Sequence, residues 1–216
     1  RGYIWAYPSK ETSGKNTVFL FPEKYPNIDY IVYQNDTGIL FEAAKKLSQK
    51  YPNIKISISH TTRKPRPNEI DGVDYHFVGK EEFKKLIKKD TFYEHAQIFD
   101  NYYGTSKESV NKLHLENYDV VFDIDWQGTK QLTKYKELNL IKIFILPPDK
   151  KELKKRLINR NQDNKQIVEK RLLQYENDIQ HWFDYDYIVI NNDLESCFNQ
   201  IEKIIESFKK EKMTFI

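Results

Sequence analysis

Glycine is scarce in this sequence. Only seven occur: Gly2, Gly14, Gly38, Gly72, Gly79, Gly104 and Gly128. The nearest pair, Gly72 and Gly79, stands seven positions apart. A G-x-G-x-x-G dinucleotide fingerprint and a strict G-x-x-x-x-G-K-[ST] phosphate loop both need closer glycines, so neither exists in this chain. Cysteine is scarcer still. Cys197 is alone, which excludes an internal disulfide and fits a reducing cytoplasm. No apolar run approaches the ~18 residues of a membrane span, and no signal-peptide pattern is seen. A surplus of one charge is missing too. Lys and Arg number 35 against 32 Asp and Glu, and the resulting +3 is too slight to call for nucleic acid.

What is abundant points the other way. A mean hydropathy of -0.76 with 31% charged residues raises the question of disorder. The 13 Phe, 15 Tyr and 3 Trp answer it, because chains that cannot fold are poor in aromatics. The 216 residues suit one domain, expected as a monomer or homodimer in the cytoplasm.

Short β-branched runs alternate with longer helical patterns, the α/β signature. Strands are expected at Tyr30–Tyr33, Ile54–Ser59, Asp119–Asp123, Ile141–Leu146 and Tyr187–Ile190. VVFDID and IKIFIL read as strands buried on both faces, as in a parallel sheet. Helices are expected at Leu40–Lys50, Lys107–Asn117, Lys150–Asn159, Lys165–His181 and Leu194–Lys210. Residues 60–105 break the alternation and read as an inserted lobe. In it EEFKKLIKKD forms a short helix between antiparallel strands at YHFV and TFYEHAQIF.

Four groups of residues carry chemistry. Arg63 and Arg66, with Ser59 and neighbouring hydroxyls at a strand end, can grip a phosphate through guanidinium forks. An exposed basic loop would read the same way. Tyr75, Glu94, Tyr103 and Thr105 lie in the lobe, where a carboxylate can accept the paired N–H donors of guanine. Taken singly, each reads more readily as packing or surface. Asp123 and Asp125 end an apolar strand, as does a carboxylate meeting a magnesium–phosphate complex, but also as does a helix cap. Arg156, Arg160 and Arg171 flank a polar stretch suited to a lid, or form a solvated basic face.

From Tyr51 to Leu194 the chain closely resembles guanylate kinase. The resemblance rests on HTTRKPRPNEIDGVDYHF, FYEHAQIFDNYYGTS, VVFDIDWQG, FILPPDKKELKKRL and YIVINNDL, in family order. It implies a P-loop NTPase-like parallel sheet flanked by helices, with a mixed α+β GMP-binding lobe and a helical lid. On that reading the core is about 1–59, 106–155 and 172–216, the lobe about 60–105 and the lid about 156–171. Ser59, Arg63, Arg66, Tyr75 and Tyr103 surround the GMP phosphate, with Asp123 on the same side. Glu94 and Thr105 take the guanine-recognising positions. Arg156, Arg160 and Arg171 clamp ATP phosphates, and Asn191 lies near the adenine. The implied reaction is ATP + GMP to ADP + GDP, with Mg²⁺.

The glycine shortage returns at the donor loop. Counting back from Lys50 places it at Gln34–Glu42, QNDTGILFE, with Leu40 where the family has lysine. Upstream, Ser13-Gly14-Lys15-Asn16-Thr17 imitates a phosphate loop, with Gly14 and Lys15 as the ATP-binding candidates. Two readings follow: a kinase with a divergent donor loop, or a guanylate-kinase-like module that binds GMP or a phosphopeptide without transfer.

Overall fold

The computed structural model describes residues 29–34, 39–159 and 165–214. Its elements run β1 (Asp29–Gln34), α1 (Ile39–Lys50), β2 (Ile54–Ile56), β3 (His60–Thr61), β4 (His76–Phe77), α2 (Lys80–Lys88), β5 (Phe92–Ile98) and β6 (Asn101–Ser106). They continue α3 (Lys107–Leu115), β7 (Asp119–Asp123), α4 (Trp126–Leu132), β8 (Leu140–Leu146), α5 (Lys150–Asn159) and α6 (Lys165–Asp178). A 3₁₀ turn (Ile179–Asp184), β9 (Tyr187–Ile190) and α7 (Leu194–Thr214) close the series. The chain divides into two compact units, one holding Val32–Tyr51 with Lys142–Ile216, the other holding Pro52–Ile141.

In the first unit β8 and β9 pair in parallel, Ile143 opposite Tyr187 through Leu146 opposite Ile190. Ile143, Phe144 and Ile145 are all buried, as expected of a strand covered on both faces. Leu153 and Leu157 of α5 meet Val168, Leu172 and Tyr175 of α6 in one apolar cluster. Helix α7 turns Phe198, Ile201, Ile204 and Ile205 inward at three- and four-residue steps. Its polar flank meets α1 through Lys46–Glu195 at 2.7 Å and Lys50–Glu202 at 2.6 Å. The Tyr51 hydroxyl adds a 2.9 Å bond to Glu202, and burial with that bond pushes the phenol upward.

In the second unit β2 and β7 pair in parallel, with Val120, Val121 and Phe122 fully buried. A mixed four-stranded sheet, in the order β4-β3-β6-β5, forms the lobe. Phe83 of α2 anchors it. This fully buried ring stacks on Phe92 at 4.8 Å and on Tyr102 at 5.5 Å. Gly104 makes room, since a Cβ there would stand 3.1 Å from the Phe83 ring and from the Glu94 carbonyl.

Several elements depart from the expected pattern. The run Ile54–Ser59 is extended only to Ile56, after which His60 and Thr61 join the lobe sheet instead. YHFV and TFYEHAQIF are not partners: β4 pairs in parallel with β3, while β5 pairs antiparallel with β6. Helix α4 was not foreshadowed by apolar spacing. It is set by Asp125, whose carboxylate caps it by accepting from Gln127 N–H and Gly128 N–H at 3.0 Å each. The capping reading therefore describes Asp125. The expected helix Lys165–His181 stops at Asp178 and tightens into the 3₁₀ turn.

Candidate active site

The second unit holds every residue expected to contact GMP. Glu94 sits on β5 just past a bulge, where the register steps from Phe92↔Ser106 to Glu94↔Thr105. The bulge breaks strand alternation, so Phe92, Tyr93 and Glu94 are buried in succession. Thr105 Oγ1 donates to Glu94 Oε1 at 2.7 Å, and the Ser59 hydroxyl lies 3.4 Å from Thr105 Oγ1. Because the Thr105 proton is committed to the carboxylate, Ser59 is the donor of the second contact. Burial, with the Asp125 charge nearby, lifts the Glu94 carboxyl to about 7 against the Thr105 bonds.

The two arginines expected to grip a phosphate are organised by Glu69, a residue to which the sequence assigned no role. Glu69 takes a bidentate bond from Arg63, Nη1 to Oε2 and Nη2 to Oε1, both at 2.8 Å. The same carboxylate accepts the Arg66 backbone N–H at 2.6 Å, while the Arg66 guanidinium stands 4.0 Å away. Local backbone geometry brings this about. Glu69 N–H bonds the Arg66 carbonyl at 3.1 Å across Pro67 and Asn68, and Asn68 adopts φ 70°. Proline then a left-handed Asn is the signature of a type II turn. Burial disfavours the Arg63 charge, but the Glu69 bonds outweigh it and raise its pKa. Burial likewise opposes ionisation of Glu69, and Arg63 with the Arg66 N–H holds it below the usual range.

Arg63 also lies over the Tyr75 ring at 5.3 Å, and Tyr75 meets Tyr103 edge-on at 6.2 Å. Burial and the Asp123 carboxylate push the Tyr75 phenol upward, and burial lifts Asp123 itself to about 6. The His60 and His76 rings lie 4.7 Å apart, tilted by 34°. Burial and the second imidazole lower His60 to about 4, so it stays neutral near pH 7.

Of the residues expected near ATP, the first unit shows three. Asn191 follows β9, is fully buried, and has both side-chain amide atoms without a hydrogen-bond partner. Arg156 is engaged locally. Its Nε bonds Glu152 at 3.1 Å, Nη1 the Asn191 carbonyl at 3.1 Å and Nη2 the Asn192 carbonyl at 2.7 Å. In this arrangement it braces the turn after β9. Arg171 is half-buried on α6. Arg160, Gly14 and Lys15 lie outside the described residues, as does most of the stretch Gln34–Gly38.

Residues 41–208 match the sequence model of guanylate kinase. The chain belongs to the guanylate kinase family. It is 43% identical over 171 residues to the guanylate kinase of Paramagnetospirillum magneticum, covering 78% of this chain and 80% of that protein. It is 46% identical over 159 residues to that of Pseudoalteromonas translucida, covering 74% and 77%. The crystal structure of guanylate kinase from Anaplasma phagocytophilum is similar at a TM-score of 0.68 and 30% identity, covering 84% of this chain and 85% of that one. The architecture is accordingly the P-loop NTPase-like α/β fold of this family, with the lobe sheet as its insert. No helix among the described residues is long and apolar enough to cross a membrane.

Two further residues were not singled out as functional by the sequence, Glu69 and Gln131. The Arg-x-x-Arg-x-x-Glu spacing signals Glu69, because a four-residue turn from Arg66 returns the Glu69 carboxylate to the Arg66 N–H and within reach of Arg63. Nothing local signals Gln131. Its amide reaches His95, 36 positions away in the chain.

Proposed function

We propose that this guanylate kinase family member transfers the terminal phosphoryl group of ATP to GMP, and also to dGMP, giving ADP and GDP or dGDP. The observation that carries the reading is the buried Glu94 carboxylate, hydrogen-bonded by Thr105 at 2.7 Å within the same unit as the Arg63–Tyr75–Tyr103 cluster. A carboxylate accepts the N1–H and 2-amino donors of guanine, and adenine offers no such pair. The Thr105 bond fixes one oxygen of Glu94 and the Ser59 hydroxyl supports Thr105.

Arg63, Arg66, Tyr75 and Tyr103 hold the acceptor phosphate, with Glu69 keeping the Arg63 fork in one orientation. Holding both nucleotides in line converts a two-body encounter into a one-body step, and no covalent enzyme intermediate is needed. Arg156, Arg160 and Arg171 neutralise charge on the transferring group; in that role Arg156 would exchange its carbonyl partners for phosphate oxygens. The Asn191 amide supplies one donor and one acceptor, which match the edge of adenine. Asn191 is fully buried in this structure, so that pairing would require the turn after β9 to move and expose its two unpartnered amide atoms.

Mg²⁺ is held chiefly by nucleotide phosphates, with one or two carboxylates and water. Among the described residues no cluster of side chains stands ready for the ion. Asp123, at the end of β7, is the carboxylate that a phosphate-bound ion would meet, and the ion would favour its charged form against the burial that lifts it to about 6. When bound, the ion neutralises phosphate charge. A cytoplasmic setting suits these substrates and the free Cys197. Titration calorimetry tests the reading. GMP and ATP should each bind, AMP should not compete for the GMP site, and Glu94→Gln should weaken GMP by about 1–3 kcal/mol. Absent ATP binding would refute the transferase reading, and unchanged GMP affinity in Glu94→Gln would refute the role of Glu94.

A further inference from the structure

We propose that Gly128 and Gln131 of α4 are positioning residues that set guanine selectivity by fixing Glu94 from behind. This rests on the reading of Glu94 as the guanine acceptor. One oxygen of Glu94 is already committed to Thr105 at 2.7 Å. The other, Oε2, points at α4. A Cβ built on Gly128 would stand 2.6 Å from Oε2, 3.1 Å from the Glu94 Cδ and 3.2 Å from the Ile124 Cβ. Carbon and oxygen atoms do not approach so closely, so any side chain at position 128 moves the carboxylate. Only glycine leaves Glu94 where Thr105 holds it.

Gln131, one turn further along α4, fixes the strand that carries Glu94. Its Oε1 accepts the His95 N–H at 3.1 Å, and its Nε2 donates to the His95 carbonyl at 2.8 Å. A third bond, Nε2 to the Gln127 carbonyl at 3.1 Å, ties the amide back to α4. Strand β5 is the edge of the lobe sheet, so its outward N–H and C=O groups have no neighbouring strand. The Gln131 amide takes the place of that strand at the residue directly after Glu94. A bulge at Tyr93 would otherwise leave this part of β5 with a weakened ladder. The two devices act together: Gln131 sets the distance between β5 and α4, and Gly128 makes that distance short enough to confine the carboxylate.

Two-point recognition of guanine depends on both Glu94 oxygens lying in place at once. Inosine monophosphate keeps the N1–H but lacks the 2-amino group, so the ratio of kcat/KM for GMP over IMP reads the alignment of Glu94 directly. A merely structural role for α4 would lower both substrates in parallel and leave the ratio unmoved.

The test measures this ratio, and thermal unfolding, for the wild type, Glu94→Gln, Gly128→Ala and Gln131→Met. The inference expects Gly128→Ala and Gln131→Met each to lower the GMP/IMP ratio by about tenfold or more. Gln131→Met keeps the side-chain volume and decides the matter if Gly128→Ala does not fold. A wild-type preference that Glu94→Gln abolishes but both α4 variants retain overturns the inference alone. A wild type with no GMP preference overturns it together with the reading of Glu94.

Discussion

Arg63 and Glu69 face one another fork to fork, through two parallel 2.8 Å hydrogen bonds, with both side chains largely withdrawn from water. Removing one partner of such a pair leaves the other partly buried and uncompensated. Glu69→Ala is therefore expected to destabilise the protein by about 1–3 kcal/mol. It should also raise KM for GMP by about tenfold, because Arg63 loses its orientation and Arg66 its N–H acceptor. KM for ATP should hardly change. Urea unfolding and steady-state kinetics check both expectations.

Glu94 makes stability depend on pH in the unusual direction. Its carboxyl rises from an ordinary 4.5 to about 7 in the folded chain, through burial first. Between those values the folded state binds more protons than the unfolded one, so stability falls as pH rises through the window. The penalty is absent below about pH 4.5 and complete above about pH 7. Glu94→Gln keeps an acceptor for Thr105 and carries no charge to bury. It is expected to unfold about 2–3 kcal/mol later than the wild type at pH 8, and at the same point at pH 4.5. Urea titrations at the two pH values measure the difference.

The same shift governs affinity. The guanine-accepting form of Glu94 is the carboxylate, and near pH 6 only about a tenth of the free protein carries it. GMP affinity should rise about tenfold between pH 6 and pH 8 on this account. The GMP phosphate itself titrates near 6 and adds to the slope in any variant. The expected result is thus a flatter profile for Glu94→Gln than for the wild type, read by calorimetry across that range.

Arg156 braces two consecutive carbonyls, those of Asn191 and Asn192, while Glu152 holds its Nε. Arg156→Ala should free the turn that carries the buried Asn191 amide. The expected outcome is a higher KM for ATP with KM for GMP unchanged, and a loss of about 1–2 kcal/mol in stability. A change confined to GMP would count against this assignment.

Much of this could be read from the chain before its structure. β7 and β8 announce themselves as runs of apolar, largely β-branched residues, because a strand covered on both faces has no reason to alternate, and β9 as the short apolar run YIVI. Arg63, Arg66, Glu94 and Thr105 stand inside motifs specific enough to name the lobe. What stayed hidden depends on geometry that no local pattern encodes. The bulge at Tyr93 re-aims Glu94 without any glycine or proline to mark it. The parallel pairing of β3 with β4 joins two-residue strands, too short to carry a period. Helix α4 spans seven residues and is fixed by its Asp125 cap more than by an apolar face. Gly128 was visible as a glycine in DIDWQG, but its purpose appears only when the Glu94 carboxylate is seen against it. The shortage of glycine thus has a second meaning. The few that remain include two at which an added carbon would press on Glu94, Gly104 on its backbone and Gly128 on its side chain.

The central claim is phosphoryl transfer from ATP to the monophosphate of guanosine by this chain. Its most direct test is chromatographic detection of GDP after incubation with ATP, Mg²⁺ and GMP, beside parallel incubations with AMP in place of GMP. The account predicts equal amounts of GDP and ADP with GMP, and no new ADP with AMP. GMP that binds yet yields no GDP would contradict it.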